Sequence, residues 1–246
     1  MTRALSYKRP ANLFDAKELI LKDDHVPLAG GTILNANDDS KALNMVDLQD
    51  LNLNEIKLSD GVLQLGAMST LDEIMNHGDC PEGIRRAAQA EMPSTLRTLA
   101  TAGGTVATAD PDSTLLASFL VYEAEINLLG EAGELAIPVN EILENLSLLE
   151  SQIILSIKLH TEGSFSFEST ARTPADTPIV SVTALSSPKG LKVAATGVAD
   201  TPILVDPTEP TKGLDPAGDF RGSPDYRIHL TSLLAARTLT KIGNYK

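Results

Sequence analysis

Two glycine pairs constrain this chain more than any other feature: LAGGTIL at Leu28 to Leu34 and, about 70 residues later, LRTLATAGGTVATADPDSTLL at Leu96 to Leu116. Adjacent glycines reach positive φ without a Cβ clash, so consecutive main-chain N–H groups can turn toward one anion, and flanking hydroxyls add donors. A single Gly-Gly pair also serves as an ordinary tight turn. Two such pairs, each expected after a helix and a short strand, are what a shared diphosphate cradle requires.

The first pair follows a helix expected after Asn12, with Leu13, Ala16, Leu19 and Ile20 at helical spacing, and a strand over Val26–Ala29. That order reverses the strand-loop-helix order of a dinucleotide-binding Rossmann unit, and no GxGxxG is present. A polar loop is expected over 35–41, and a short strand or turn at Met45–Leu48. A hairpin is expected about Ser59-Asp60-Gly61, then a helix from Leu71 capped by Ser69 or Thr70 and another over Glu82–Met92.

After the second pair, Asp110 should form an Asx-type turn into Pro111, and Leu115–Tyr122 reads as a buried helix. Ser113 and Thr114 either face a ligand or cap that helix. A strand over Glu125–Leu129, a leucine-rich helix over Ile142–Leu149 and a strand over Gln152–His160 follow. From Thr161 to Asp176 small polar residues dominate, and strand-like text runs over Ile179–Leu185, Leu191–Ala199 and Pro202–Val205. The chain closes on an amphipathic helix with Tyr226, Leu230, Leu233, Leu234 and Leu239 as its expected apolar stripe.

The net charge is −13 and no Lys/Arg cluster occurs, which argues against nucleic acid and anionic membrane as partners. No apolar run approaches the roughly 18 residues of a membrane span. The amino terminus lacks the apolar core of a secretory signal, and a single cysteine, Cys80, fits a reducing compartment, so a cytoplasmic location is expected. There is no GxSxG, P-loop lysine or CxxC, and the four histidines lack metal-ligand spacing. Arg172 and Asp176 suit a surface or interdomain pair better than a catalytic one. Tryptophan is absent and aromatics make up 4% of residues, so a bound ring system would meet few flat faces.

Taken in order, these segments resemble the FAD-binding medium subunit of the molybdenum hydroxylases, the family that contains carbon monoxide dehydrogenase and xanthine dehydrogenase. The resemblance runs through Arg9-Pro10, LAGGTIL, VDLQDL, LQLGAMSTLDEI, the second glycine stretch, Arg172 with Asp176, and DFRGSPDYRIHLTSLLAARTL. It implies an α+β chain. A two-part FAD-binding domain of the PCMH/vanillyl-alcohol-oxidase type would occupy residues 1–160, in subdomains of about 1–55 and 56–160, with a small sheet-plus-helix domain over 161–246.

It also implies a site. The FAD diphosphate would be wrapped by the amides of Leu28, Ala29, Gly30, Gly31, Thr32 and Ile33 and of Ala100, Thr101, Gly103, Gly104 and Thr105, with Ser113 and Thr114 toward the sugar. The flavin would take electrons from a 2Fe-2S small subunit and pass them to a terminal acceptor, while substrate is oxidised on a large subunit carrying the molybdenum cofactor. The family usually has asparagine at Thr105, aspartate at Thr114 and often lysine at Ser169. These departures, with a shorter segment from Leu129 to Ile153 and a shorter carboxyl-terminal domain, keep the cradle and thin the groups about sugar and ring. Asp112 is a stand-in for the missing carboxylate. A flavin-less structural or assembly subunit of the same kind of complex is the alternative.

Overall fold

A computed structural model describes residues 3–34, 42–173 and 176–243. Three sheets follow one another along the chain. The first is parallel, in the order β1-β3-β2, from β1 (Arg3–Lys8), β2 (His25–Leu28) and β3 (Ala42–Asp47). Helix α1 (Leu13–Ile20) connects β1 to β2; Asn12 caps it by accepting the Asp15 N–H, and Ala16 and Ile20 face Val46 and Leu48 beneath. The polar loop expected over 35–41 lies outside the described residues.

The second sheet is antiparallel, in the order β4-β5-β8-β6-β7. Strands β4 (Ile56–Ser59) and β5 (Val62–Gly66) form the hairpin expected about Asp60 and Gly61, both of which take positive φ (51° and 75°). That pair of angles is what a two-residue hairpin turn needs. Helix α2 (Leu71–Asn76) opens on a capping box: Thr70 Oγ1 accepts the Glu73 N–H while Glu73 accepts the Thr70 N–H. Helices α3 (Glu82–Glu91), α4 (Ser94–Arg97), α5 (Ala102–Thr108) and α6 (Thr114–Val121) precede β6 (Glu125–Gly130) and β7 (Gly133–Pro138). The leucine-rich helix expected over Ile142–Leu149 divides into α7 (Val139–Glu144) and a 3-10 turn at Leu146–Leu149. Asn145 is the cause: its side chain accepts the Ser147 N–H and hydroxyl, competing with helix continuation. Strand β8 (Ile153–His160) returns to the centre of the sheet.

The third sheet, β12-β11-β10-β9, is built from β9 (Ser164–Thr170), β10 (Val180–Ser187), β11 (Gly190–Thr196) and β12 (Ile203–Val205), with α8 (Pro224–Gly243) across one face. The stripe that α8 buries differs from the expected one. Arg227, Leu230, Thr231, Leu234, Ala235, Thr238 and Ile242 are buried, whereas Tyr226 and Leu233 face outward.

Every residue of α6 is buried, as its text without a polar stripe requires. On one side Leu115, Leu116 and Phe119 join the core of α2, α3 and the second sheet; on the other the helix meets β10 and β11. Strand β9 adds a second tie. The Phe165 ring fills the space over Gly83 of α3 and stacks on Tyr122 at 5.9 Å. Buried Cys80 has its thiol pushed up to about 11, which leaves it unreactive.

The first glycine pair fixes how the loop after β2 meets the chain before α5. A Cβ on Gly30 would stand 1.6 Å from the Leu99 carbonyl oxygen, so main chain passes main chain with no side chain between. Gly30→Ala is therefore expected to destabilise the protein by about 1–3 kcal/mol or more, the cost of forced overpacking. Gly78→Ala, at an exposed site with open space, should stay within about 0.5 kcal/mol of the parent. Urea midpoints of the two variants check this. Phe119→Ala should cost about 3–5 kcal/mol by the same measurement, because α6 has neighbours on every side that cannot collapse into the void.

Candidate functional site

The contact at Gly30 forms one wall of a cavity of about 640 Å³ between the loop after β2 and the segment from α3 to α6. Eleven of the thirteen residues expected at a cofactor line it: Ala29, Gly30, Gly31, Thr32, Ile33, Ala100, Thr101, Gly103, Gly104, Thr105 and Ser113. Leu28 does not; it ends β2, and its carbonyl accepts the Leu48 N–H at 3.0 Å. Thr114 does not either, because its hydroxyl turns inward toward α3.

The two glycine pairs differ in kind. Ala29 to Ile33 is irregular chain with Gly31 at φ 69°, and none of its five main-chain N–H groups donates to a protein acceptor among the described residues. The second pair lies inside α5, and its amides are spent. Ala102 N–H donates to Ser69 O, Gly103 N–H to Ala67 O at 2.8 Å, Gly104 N–H to Thr101 Oγ1 at 3.1 Å and Thr105 N–H to Thr101 O at 2.9 Å. Ala100 N–H is likewise committed, to Leu96 O. Of the amides expected in a second cradle, those of Ala100, Gly103, Gly104 and Thr105 are thus taken by acceptors within the protein. Thr101 is the N-cap of a short helix, and Gly103 is glycine because a Cβ would meet Ala67 at 2.8 Å.

The site also contains a residue that sequence reasoning missed. Glu91, the last residue of α3, is buried and lines the cavity. Its Oε1 accepts the Ser113 hydroxyl at 2.6 Å, and its Oε2 accepts the Leu115 N–H at 2.8 Å and lies 3.0 Å from Thr114 Oγ1. Ser113 Oγ in turn accepts the Leu116 N–H, so Ser113 and the Glu91 carboxyl together cap α6. Of the two roles open to Ser113 and Thr114, helix capping and packing is the one their bonds show. Burial pushes the Glu91 carboxyl up from its ordinary range despite these donors. Only one sequence signal pointed here: an acid at the end of an otherwise amphipathic helix, just before Met92-Pro93.

The third sheet is fastened to the same loop. Asp110 Oδ1 accepts the Asp112 N–H in an Asx turn, and Pro111 O accepts the Gly197 N–H. Asp112 pairs with Arg221 at 2.6 Å, so its carboxylate is a clamp on the carboxyl-terminal segment and not a free stand-in. Burial raises the Asp112 carboxyl, an effect that the Arg221 guanidinium only partly offsets. Arg221 and Arg227 both hold Asp219, which they keep far below the usual carboxylate range, and Arg227 also donates to Ile179 O and Gly197 O. Arg172 and Asp176 form an exposed pair at 3.3 Å, with Arg172 over the Phe220 ring. Ser169 lies in β9 and does not line the cavity.

Among the described residues the lining holds no Lys, Arg or His and no aromatic ring. Its charged members are all acids, Glu91, Asp110, Asp112 and Glu150. Val26, Pro27, Ile33, Leu48, Met68, Leu149 and Ile154 supply an apolar wall, and Thr105, Thr108 and Thr177 supply hydroxyls. The described residues contain no cluster of His, Cys, Asp and Glu that could hold a metal, and no helix long and apolar enough to cross a membrane.

This architecture has known counterparts. Quinoline 2-oxidoreductase of Pseudomonas putida 86 contains a chain that superposes with a TM-score of 0.89 at 22% identity, over 99% of this chain and 98% of that one. A chain of carbon monoxide dehydrogenase from Hydrogenophaga pseudoflava superposes with a TM-score of 0.90 at 19% identity, over 99% of both chains. In sequence, the chain is 27% identical to YgfM of Escherichia coli K12 across 93% of its own length and 92% of that protein's. Residues 3–160 match the family model described as the FAD binding domain in molybdopterin dehydrogenase. Those residues hold both glycine pairs and Glu91, and the chain belongs to that family.

Proposed function

We propose that the cavity holds FAD and that the chain is the electron-transfer subunit of a molybdenum hydroxylase complex. The observation that carries this reading is the run of five open main-chain N–H groups from Ala29 to Ile33 on the wall of a cavity of about 640 Å³, in a chain of an FAD-binding family. That volume falls within the roughly 300–1,000 Å³ of small-molecule sites.

The donor set fits a dinucleotide. Main-chain N–H groups suit the diphosphate, which they bind without side-chain cations. The carboxyls of Asp110 and Glu150, with the hydroxyls of Thr105, Thr108 and Thr177, suit the sugar and ribityl hydroxyls, and the aliphatic wall suits the faces of the ring. When bound, the flavin supplies one- and two-electron chemistry. The residues of this chain orient it, exclude water through Ile33, Leu149 and Ile154, and hold the loops in place. A 2Fe-2S small subunit would deliver the electrons, a large subunit carrying the molybdenum cofactor would oxidise the substrate, and the assembly would work in the cytoplasm. Family membership supports this part of the proposal.

Purified protein should be yellow or should take up added FAD, with release on denaturation. FAD at 100 times its Kd should raise unfolding stability by about 2.7 kcal/mol. Because amides and not Lys or Arg face the diphosphate, affinity should not decline as salt is added, whereas a cation-held phosphate would be weakened by screening. Equilibrium titration of the apoprotein by flavin fluorescence at low and high salt checks both. Protein that is colourless and indifferent to FAD at either salt would leave the flavin-less structural subunit as the correct description.

A further inference from the structure

The contacts around Glu91 turn on where one hydrogen sits. Thr114 Oγ1 stands 2.8 Å from Ala87 O and 3.0 Å from Glu91 Oε2, and a hydroxyl has one hydrogen to give. The shorter contact is to the Ala87 carbonyl, and with the Thr114 hydrogen placed there that bond is kept. The remaining contact is then a hydrogen bond only if Glu91 Oε2 donates. With Oε2–H directed at Thr114 Oγ1, the Leu115 N–H directed at Oε2 and the Ser113 O–H directed at Oε1, every hydrogen in the cluster has an acceptor. Removing the proton sets two oxygens face to face with nothing between them, or makes Thr114 abandon the Ala87 carbonyl.

Among the described residues no counter-charge replaces that proton. On the loop before α6, Asp110 is another acid, and Asp112 is taken by Arg221. From α4, Arg97 is turned to the carbonyls of Gln89 and Met92. On α2, Glu73 is held by Thr70 and Asp72 lies in the exposed first turn; on β9, Glu168 pairs with Lys241. Within α3, Arg85 acts on Cys80. None of these contacts the Glu91 carboxyl.

We propose that Glu91 is a positioning residue of the cofactor cavity, held as the neutral acid between α3 and α6, and that a dianionic diphosphate binds to that protonated form in preference to the ionised one. This rests on the FAD reading above. Glu91 acts through Ser113, whose hydroxyl it orients and which lines the cavity. A cavity whose charged side chains, among the described residues, are all acids accepts an anion most readily when the buried one is uncharged. Ionisation both adds a negative charge to the wall and disturbs the Ser113–Thr114 corner.

The test is the FAD affinity of the whole chain between about pH 5 and about pH 9, a span that covers documented buried glutamates at about 8–9. Wild-type affinity should decline with rising pH, by at most about tenfold per pH unit for one coupled proton. Glu91→Gln should flatten that dependence. Thr114→Val, which removes the acceptor of the acid proton at nearly constant volume, should move it to lower pH and serves if Glu91→Gln does not fold. Infrared spectroscopy at neutral pH gives a readout that needs no flavin: wild type should show the C=O stretch of a buried un-ionised carboxyl that Glu91→Gln lacks. Affinity that is flat in wild type, or equally sloped in wild type and variants, overturns the proposal and leaves the FAD reading intact. Absence of the infrared band overturns the protonation itself. If FAD binds at no pH while the band is present, it is the FAD reading that fails, and the coupling with it.

Discussion

The N-terminus of α6 is the point on which the rest of the molecule depends. A helix buried on every side cannot hand its first N–H groups to water, and each one left unmet would cost about 1–3 kcal/mol. Here Leu115 N–H goes to Glu91, Leu116 N–H to Ser113 Oγ and Ala117 N–H to Ser113 O. The acceptor for the first comes from another helix, so satisfying α6 also fixes α3 against it. The same two helices carry the Gly83–Phe165 and Tyr122–Phe165 contacts that fasten β9. One wall of the cavity is therefore a by-product of burying α6, and it is as rigid as the core.

The two glycine pairs show how one dipeptide serves opposite physical ends. At Gly30-Gly31 the missing side chains allow a main-chain crossing and a left-handed turn, and the N–H groups stay open. At Gly103-Gly104 they allow a short helix to press on Ala67, and the N–H groups are consumed. The local difference is a single residue, threonine at 101 where the first pair has leucine at 28. What separates them is Thr101, the N-cap, and the carbonyls of Ala67 and Ser69, which arrive from the end of β5 some 30 residues earlier.

Elements governed by local chemistry were legible: the Asn12 cap of α1, the Asp60-Gly61 hairpin, the Thr70 capping box and the unbroken apolar text of α6. Elements governed by tertiary partners were not. The expected Ile142–Leu149 helix failed because Asn145 terminates it, while its leucines kept helical spacing. Strand β9 hides in SFSFEST, where serines dilute the pattern and only its pairing with β10 and the space over Gly83 define it. The α8 stripe was misplaced because Arg227, a charged residue, is buried where carbonyls of Ile179 and Gly197 and the Asp219 carboxylate receive it, while Tyr226 and Leu233 point out. At the site, the first loop was legible from its glycines. Glu91 was not, since nothing in the text shows that its hydroxyl partners lie 22 and 23 residues ahead.

The charge balance of the cavity follows from these attachments. A chain with net charge −13 must place acids somewhere, and among the described residues four carboxyls and no cation reach this lining. Each cation nearby is already engaged: Arg221 and Arg227 in the Asp219 clamp, Arg97 on main-chain carbonyls. Among the described residues, an anion entering the cavity would meet acids and dipoles, the latter including the amide run from Ala29 to Ile33. Dipoles at fixed positions hold a diphosphate by geometry more than by net charge, so in the proposed complex the crossing at Gly30 would set where the anion sits. Position, in this site, is decided by main-chain packing, and of the acids about it Asp112 is neutralised by Arg221.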